Sequence, residues 1–152
     1  LGIGPFQTNM RAFDTIDLFQ EIRSLVISRD YPGVDKLMAE PEQYLNQVPL
    51  IASYIDDAED RPGGRRIRDH FSRHWKVRSI SLRLELLAAG RGAGFVSDQV
   101  LLEDKMCANL LVIDKLPFAR IGRTVGIFYR RGTELSEGAR KFIEICTKRW
   151  PN

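Results

Sequence analysis

An α/β fold with a largely parallel sheet is what this sequence predicts, and three observations carry the prediction. Short apolar runs such as Leu25-Val26-Ile27, Val48 to Ala52 and Gly94-Phe95-Val96 recur along the chain, at the length of buried strands. Between them lie stretches with apolar residues three or four apart, which is helical spacing. Alternation of this kind places helices against a sheet. The chain also has 152 residues, 43% of them hydrophobic and 28% charged. That is core material for one domain or two small lobes, which excludes a disordered chain and a large multidomain enzyme.

In chain order, Leu1-Gly2-Ile3-Gly4 reads as the end of a strand and Thr8 to Asp17 as a loop. Phe19 to Ser28 alternates in character and closes on the run Leu25-Val26-Ile27, as a strand does. Tyr31-Pro32-Gly33 is a turn signal. Pro41 to Gln47 reads as a helical turn with Pro41 at a first helical position. Val48 to Tyr54 is a buried strand whose Pro49 keeps its first residues out of the middle of a ladder. An acidic loop, Asp56 to Asp60, and Arg61-Pro62-Gly63-Gly64 follow. A helix is expected from about Arg65 to Trp75, on the stripe Ile67, Phe71 and Trp75.

Val77 to Ile80 is expected as a short strand, with Ser81 capping a helix from Leu82 to Ala89 that Gly90 ends. Gly94 to Val96 is a strand, and Ser97-Asp98 open a helix reaching about Asp104. Leu110 to Ile113 and Val125 to Tyr129 are strands. In the last helix Ser136 is the cap, Glu137 suits the first turn, and Ala139, Phe142, Ile143, Cys146 and Trp150 share a face before Pro151 stops it.

Several functional classes drop out. No apolar run is long enough to span a bilayer, so no membrane partner is expected. Cys107 and Cys146 lie far apart in no metal spacing, as two buried or half-buried thiols of a reducing cytoplasm. The net charge of +3 does not make a nucleic-acid binder by itself, although 17 of the 23 basic residues are arginine, the side chain best suited to carboxylates and phosphates. Gly90-Arg91-Gly92-Ala93-Gly94 follows a helix and precedes a strand, the reverse of a dinucleotide fingerprint, so these glycines turn the chain tightly. His70 and His74 are one helical turn apart without a third ligand nearby, and read as a solvated pair. Arg65, Arg66, Arg68, Arg73 and Arg78 read as a solvated face. No serine sits in a nucleophile elbow and no acid–base set stands out, so neither catalysis nor a cofactor or metal is expected.

Ligands of parallel α/β sheets bind beyond the carboxyl ends of strands, here just after Gly4, Tyr54, Ile80 and Val96. Arg61 is placed to reach an anion together with the N–H groups of Gly63, Gly64 and Arg65. Ser97 and Asp98 fit two compatible roles, a helix cap and part of an anion site.

Taken together, these segments resemble the effector-binding domain of LysR-type transcriptional regulators, across essentially the whole chain. Leu1-Gly2-Ile3-Gly4 is similar to the end of the family's first-lobe D-(I/L)-(G/A)-(I/L) strand. Leu25 to Pro32 resembles the strand ending in an H-P turn, and Val48-Pro49-Leu50-Ile51 the P-(L/F)-I strand. Leu86 to Val96 resembles the G-x-G signature that leads into an apolar strand, and Val125 to Phe142 the closing strand and helix. Ser97 stands where many members carry proline.

The resemblance implies a fold like type 2 periplasmic binding proteins, with two α/β lobes joined by two crossing strands and a small molecule between the lobes. Residues 1–26 would supply part of lobe I, 27–122 lobe II, and 123–152 the return into lobe I. A first lobe only partly covered leaves strand edges exposed, so the natural protein is expected to be longer. The ligand site implied is Phe6 and Gln7 after the first strand, Ser53, Tyr54 and Arg61 after the second-lobe strand, and Ser79, Ser81, Ser97 and Asp98 on the second-lobe rim. Phe6 offers a stacking surface, while the hydroxyls and Arg61 suit a carboxylate or phosphate. The implied role is a cytoplasmic sensor of a small, anionic effector that forms homodimers or tetramers. It would meet DNA only through a helix-turn-helix domain not in this chain. A periplasmic-type solute-binding protein of a transport system is the alternative, and a plain dimerisation module a third reading.

Overall fold

One long strand, β2 (Phe13–Ser28), changes character along its length. Its first ten residues are mostly half-buried or exposed, whereas Arg23 to Ser28 are all buried. The computed structural model describes residues 1–6, 10–53 and 66–150. The chain divides into two compact units, Ile22–Ile121 and the pair of segments Leu1–Glu21 and Gly122–Asn152. It passes from one to the other within β2 and within β7 (Arg120–Arg130).

In the unit Ile22–Ile121, the second half of β2 pairs antiparallel with both β5 (Ala93–Ser97) and β6 (Leu110–Val112). Strand β3 (Pro49–Ala52) lies parallel to β5 on one side and to β4 (Arg73–Lys76) on the other. The sheet is therefore mixed, not largely parallel. The helix α3 (Ile80–Ala88) carries the chain over from β4 towards β5 and so preserves direction, whereas β2 comes in running against β5.

Side chains leave a strand to alternate faces, and here both faces are covered. Leu25, Ile27, Leu50, Ala52 and Phe95 join one core cluster, together with Leu37 of α1 (Val34–Ala39) and Leu45. Val26, Ile51 and Val96 join the other, against Leu84 and Leu87 of α3. Burial on two sides is why these strands read as unbroken apolar runs.

Gly92 and Gly94 serve close packing in addition to the turn. A Cβ at Gly92 would lie 2.4 Å from the Pro49 carbonyl oxygen, and one at Gly94 would lie 2.5 Å from that of Ile51. The turn itself falls at Gly90, whose φ of 65° follows the end of α3.

Cys107 is buried in the second of these clusters. Burial, with the Asp104 carboxylate adding to it, pushes its thiol up from the usual range. Because the neutral form is favoured only in the native state, this contribution to stability falls as pH rises above the unfolded thiol's value. Both cysteines are buried. Native protein at pH 8 is expected to react slowly with a thiolate reagent, and to release two fast-reacting thiols once unfolded in urea. Rapid native modification of Cys107 would contradict its placement.

Several expectations need correction. The helix expected over Arg65 to Trp75 is a 3-10 turn, Ile67–His70, followed by β4. The spacing of four was coincidental: Phe71 is buried in the core and Ile67 packs against it, but Trp75 is 37% exposed and pairs with Ile51 in the ladder. Val77 still donates its N–H to the Ala52 carbonyl. The ladder nonetheless ends at Lys76, so Val77 to Ile80 form no strand and Ile80 opens α3. The cap of α3 is Ser79, whose hydroxyl accepts from the Leu82 N–H at 3.3 Å, and not Ser81. The loop expected through Asp17 gives way at Phe13 to β2, and α1 after Gly33 was not foreseen. Pro41 does begin a helix, α2 (Pro41–Tyr44), and Ser97 precedes α4 (Asp98–Glu103).

In the other unit β1 (Gly2–Pro5) pairs antiparallel with β7, from Gly2 against Phe128 to Pro5 against Val125. Helix α5 (Glu137–Arg149) starts as expected, with the Ser136 hydroxyl accepting from the Ala139 N–H at 3.2 Å. Its predicted apolar face divides. Cys146 and Ile143 join Leu18 and Ile127 in a small core, while Trp150 lies beside Phe19 and Phe142 is 41% exposed.

Candidate functional site

Because β3, β4 and β5 run parallel, their carboxyl ends share one edge of the sheet. Four sequence-predicted residues fall there. Ser53 follows β3 and is buried, Ser79 lies just past β4, and Ser97 with Asp98 ends β5 and begins α4. Strand β2 enters this unit at the same edge, and its antiparallel register sets Arg23 opposite Ser97 and Ser24 opposite Val96.

Arg23 and Ser24 are polar residues in a fully buried stretch, 6% and 2% exposed. Buried polar groups require partners. An Arg23 Nη2 donates to the Phe95 carbonyl at 2.8 Å, and its guanidinium lies 6.0 Å from the centre of the Phe95 ring. The Ser24 hydroxyl donates to Asp98 Oδ1 at 2.6 Å. The other Asp98 oxygen accepts from Arg120 Nη2. Two guanidiniums, one carboxylate and a buried hydroxyl are thus assembled around the β5–α4 junction. The donors are those that recognise carboxylates and phosphates.

The predicted residues do not all join this cluster. The Ser79 hydroxyl is occupied as the α3 cap, and Ser81 is exposed on α3. Ser97 makes no side-chain cap bond. Phe6 belongs to the other unit, where its N–H donates to the Thr124 carbonyl at 2.9 Å and its ring covers Gly126. Gln7, Tyr54 and Arg61 lie outside the described residues, as do Gly63, Gly64 and Arg65.

Sequence reading missed Arg23, Ser24 and Arg120 as site residues. The first two carried a signal, polar side chains directly abutting the buried run Leu25 to Ile27. Nothing local distinguishes Arg120, which reaches Asp98 only through the tertiary fold. His70 stacks against Phe118 with ring centres 4.6 Å apart. Among the described residues no group of histidine, cysteine and carboxylate side chains could hold a metal. A surface depression of about 380 Å³ beside Pro41 and Lys115 is lined by none of the candidate residues.

The LysR substrate binding domain family matches residues 1–151, and the chain belongs to this family. It is thus related to the effector-binding domains of LysR-type transcriptional regulators and has their type 2 periplasmic-binding-protein-like fold. Solved structures agree with the fold. The regulatory domain of CcmR from Synechocystis PCC6803, in complex with 2-PG, matches with a TM-score of 0.68 and 16% identity, over 99% of this chain and 73% of that one. The oxidized form of OxyR matches with a TM-score of 0.67 and 21% identity, over 97% and 70%. Full-length LysG from Corynebacterium glutamicum matches with a TM-score of 0.60 and 15% identity, and the chain spans only 45% of its length. No curated protein sequence matches the chain significantly. The family is one of regulatory domains and not of enzymes, and the transport alternative is not favoured. No helix among the described residues is long and apolar enough to cross a membrane.

Proposed function

We propose that the chain senses a small anionic metabolite for a cytoplasmic LysR-type regulator, at the carboxyl edge of β3, β4 and β5. The observation that supports this most is the cluster Arg23, Ser24, Asp98 and Arg120 at that edge. Ser53, Ser79 and Ser97 lie along the same edge as further hydroxyls, and Tyr54, Ser81 and Arg61 remain proposed contributors. In this reading the domain assembles with copies of itself, and DNA is contacted by a helix-turn-helix domain outside these 152 residues. Effector binding acts on the regulator only through unequal affinity for two of its conformations.

Thermal shift against carboxylates, amino acids and phosphates tests the reading. A ligand at about one hundred times its Kd should add about 2.7 kcal/mol to stability. Arg120→Ala is expected to weaken that response while leaving the unliganded Tm within a few degrees, since an exposed ion pair contributes about 0–1 kcal/mol. A folded protein that responds to none of these anions would refute the anion-sensing reading.

A further inference from the structure

We propose that Asp98 is a built-in competitor, its carboxylate occupying the seat that a free anion takes on Ser24 and Arg120. The proposal rests on the anion-sensing reading above and adds the regulation of that same site. Its two oxygens divide between a hydroxyl and a guanidinium, the donor pair that would hold one edge of a free carboxylate or phosphate. Ser24 is nearly sealed, at 2% exposure, and its hydroxyl needs an acceptor at all times. Asp98 supplies one when no ligand does.

The geometry also allows exchange. The side chains of Arg120 and Asp98 are 63% and 31% exposed, so the pair has one face to solvent and is readily broken. Asp98 is not needed to cap its own helix N–H groups: it bonds instead to β2 and β7. Arg23, opposite Ser97 on the neighbouring strand, holds the Phe95 carbonyl beneath the same junction. An arriving anion would take over the Ser24 hydroxyl and the Arg120 guanidinium and release Asp98 to solvent. Ligand binding then becomes a movement of the β5–α4 junction. Asp98 raises the anion concentration at which that movement occurs.

Inorganic phosphate is the probe. It is titrated at constant ionic strength into the 152-residue chain, as wild type, Asp98→Asn and Asp98→Asn with Arg120→Ala, and followed by calorimetry and Tm. Asparagine keeps an acceptor for Ser24 but removes the competing charge. Phosphate affinity should rise at least about tenfold in Asp98→Asn, the scale of one close charge contact near a protein surface. The gain should vanish in the double variant. Equal affinities for wild type and Asp98→Asn, or a gain that survives Arg120→Ala, would overturn the competitor role. Should Asp98→Asn not fold, the Arg120 Nε–H resonance of the wild type decides. A phosphate-dependent shift supports displacement, and constancy up to saturation rejects it. The two readings fail differently. If wild type binds an anion as tightly as Asp98→Asn, only the competitor fails. If no carboxylate or phosphate binds any variant, the anion-sensing reading falls and the competitor with it.

Discussion

Ile27→Ala should lower the unfolding free energy by about 2–5 kcal/mol, the range for truncating a large aliphatic side chain in a packed core. Ile27 has no solvent exposure and sits on β2 between Ala93 of β5 and Leu111 of β6. Its side chain belongs to the cluster that joins the sheet to α1 and to Ile113, Phe118 and Ile121. Neighbouring strands on both sides restrict the backbone, so the cavity can collapse only in part. Against a total of about 5–15 kcal/mol for a typical domain, the variant should stand near its folding threshold. The check is urea denaturation: the midpoint should fall with the slope unchanged. Ile22→Ala, at a position 40% exposed on the same strand, is the control and should cost much less. A loss below about 1 kcal/mol for Ile27→Ala would contradict the burial on which this rests.

Gly94→Val should be comparably severe, through overpacking in place of a cavity. The added Cβ would stand 2.5 Å from the Ile51 carbonyl oxygen, with the two Leu87 methyls at 3.2 and 3.4 Å. A leucine methyl can turn aside, but a strand carbonyl cannot, because β3 is held between β4 and β5. Overpacking of this kind costs about 1–3 kcal/mol and occasionally more, and an obstacle of backbone places it at the upper end. Gly138→Ala is the contrast: Gly138 is in the first turn of α5 with nothing near its missing Cβ. There alanine should change stability by less than about 1 kcal/mol, in the stabilising direction. Thermal unfolding of the two variants side by side gives the comparison. Equal melting temperatures would mean that β5 and β3 do not approach as described.

Gly94 also shows what sequence reading could and could not reach. Its motif, Gly90 to Gly94, was rightly separated from a dinucleotide loop by the order helix, glycines, strand. That the second and third glycines serve contact with β3 is invisible locally, since the obstructing carbonyls belong to residues about forty positions earlier. The failed helix over Arg65 to Trp75 has the same origin. Ile67, Phe71 and Trp75 satisfy helical spacing, yet a strand position beside β3 was available for Arg73 to Lys76, and tertiary pairing outweighs a short periodic stripe. At the candidate site, Ser97 and Asp98 were legible because hydroxyl and carboxylate residues at a strand-to-helix junction are conspicuous. Arg120 was not, because it owes its role to a partner 22 positions away.

By itself, then, the sequence determined the α/β class, the buried strands at Leu25 to Ile27, Leu50 to Ala52 and Gly94 to Val96, the α5 cap at Ser136, and the family. These are properties of neighbouring residues: run length, periodicity, cap chemistry and motif order. Only the tertiary structure decided the mixed sheet, β4 as a strand, Ser79 as the α3 cap, and the gathering of Arg23, Ser24, Asp98 and Arg120. Each of these is a choice among partners distant in sequence. The free energy separating such alternatives comes from burial and pairing across the sheet, which no local pattern records.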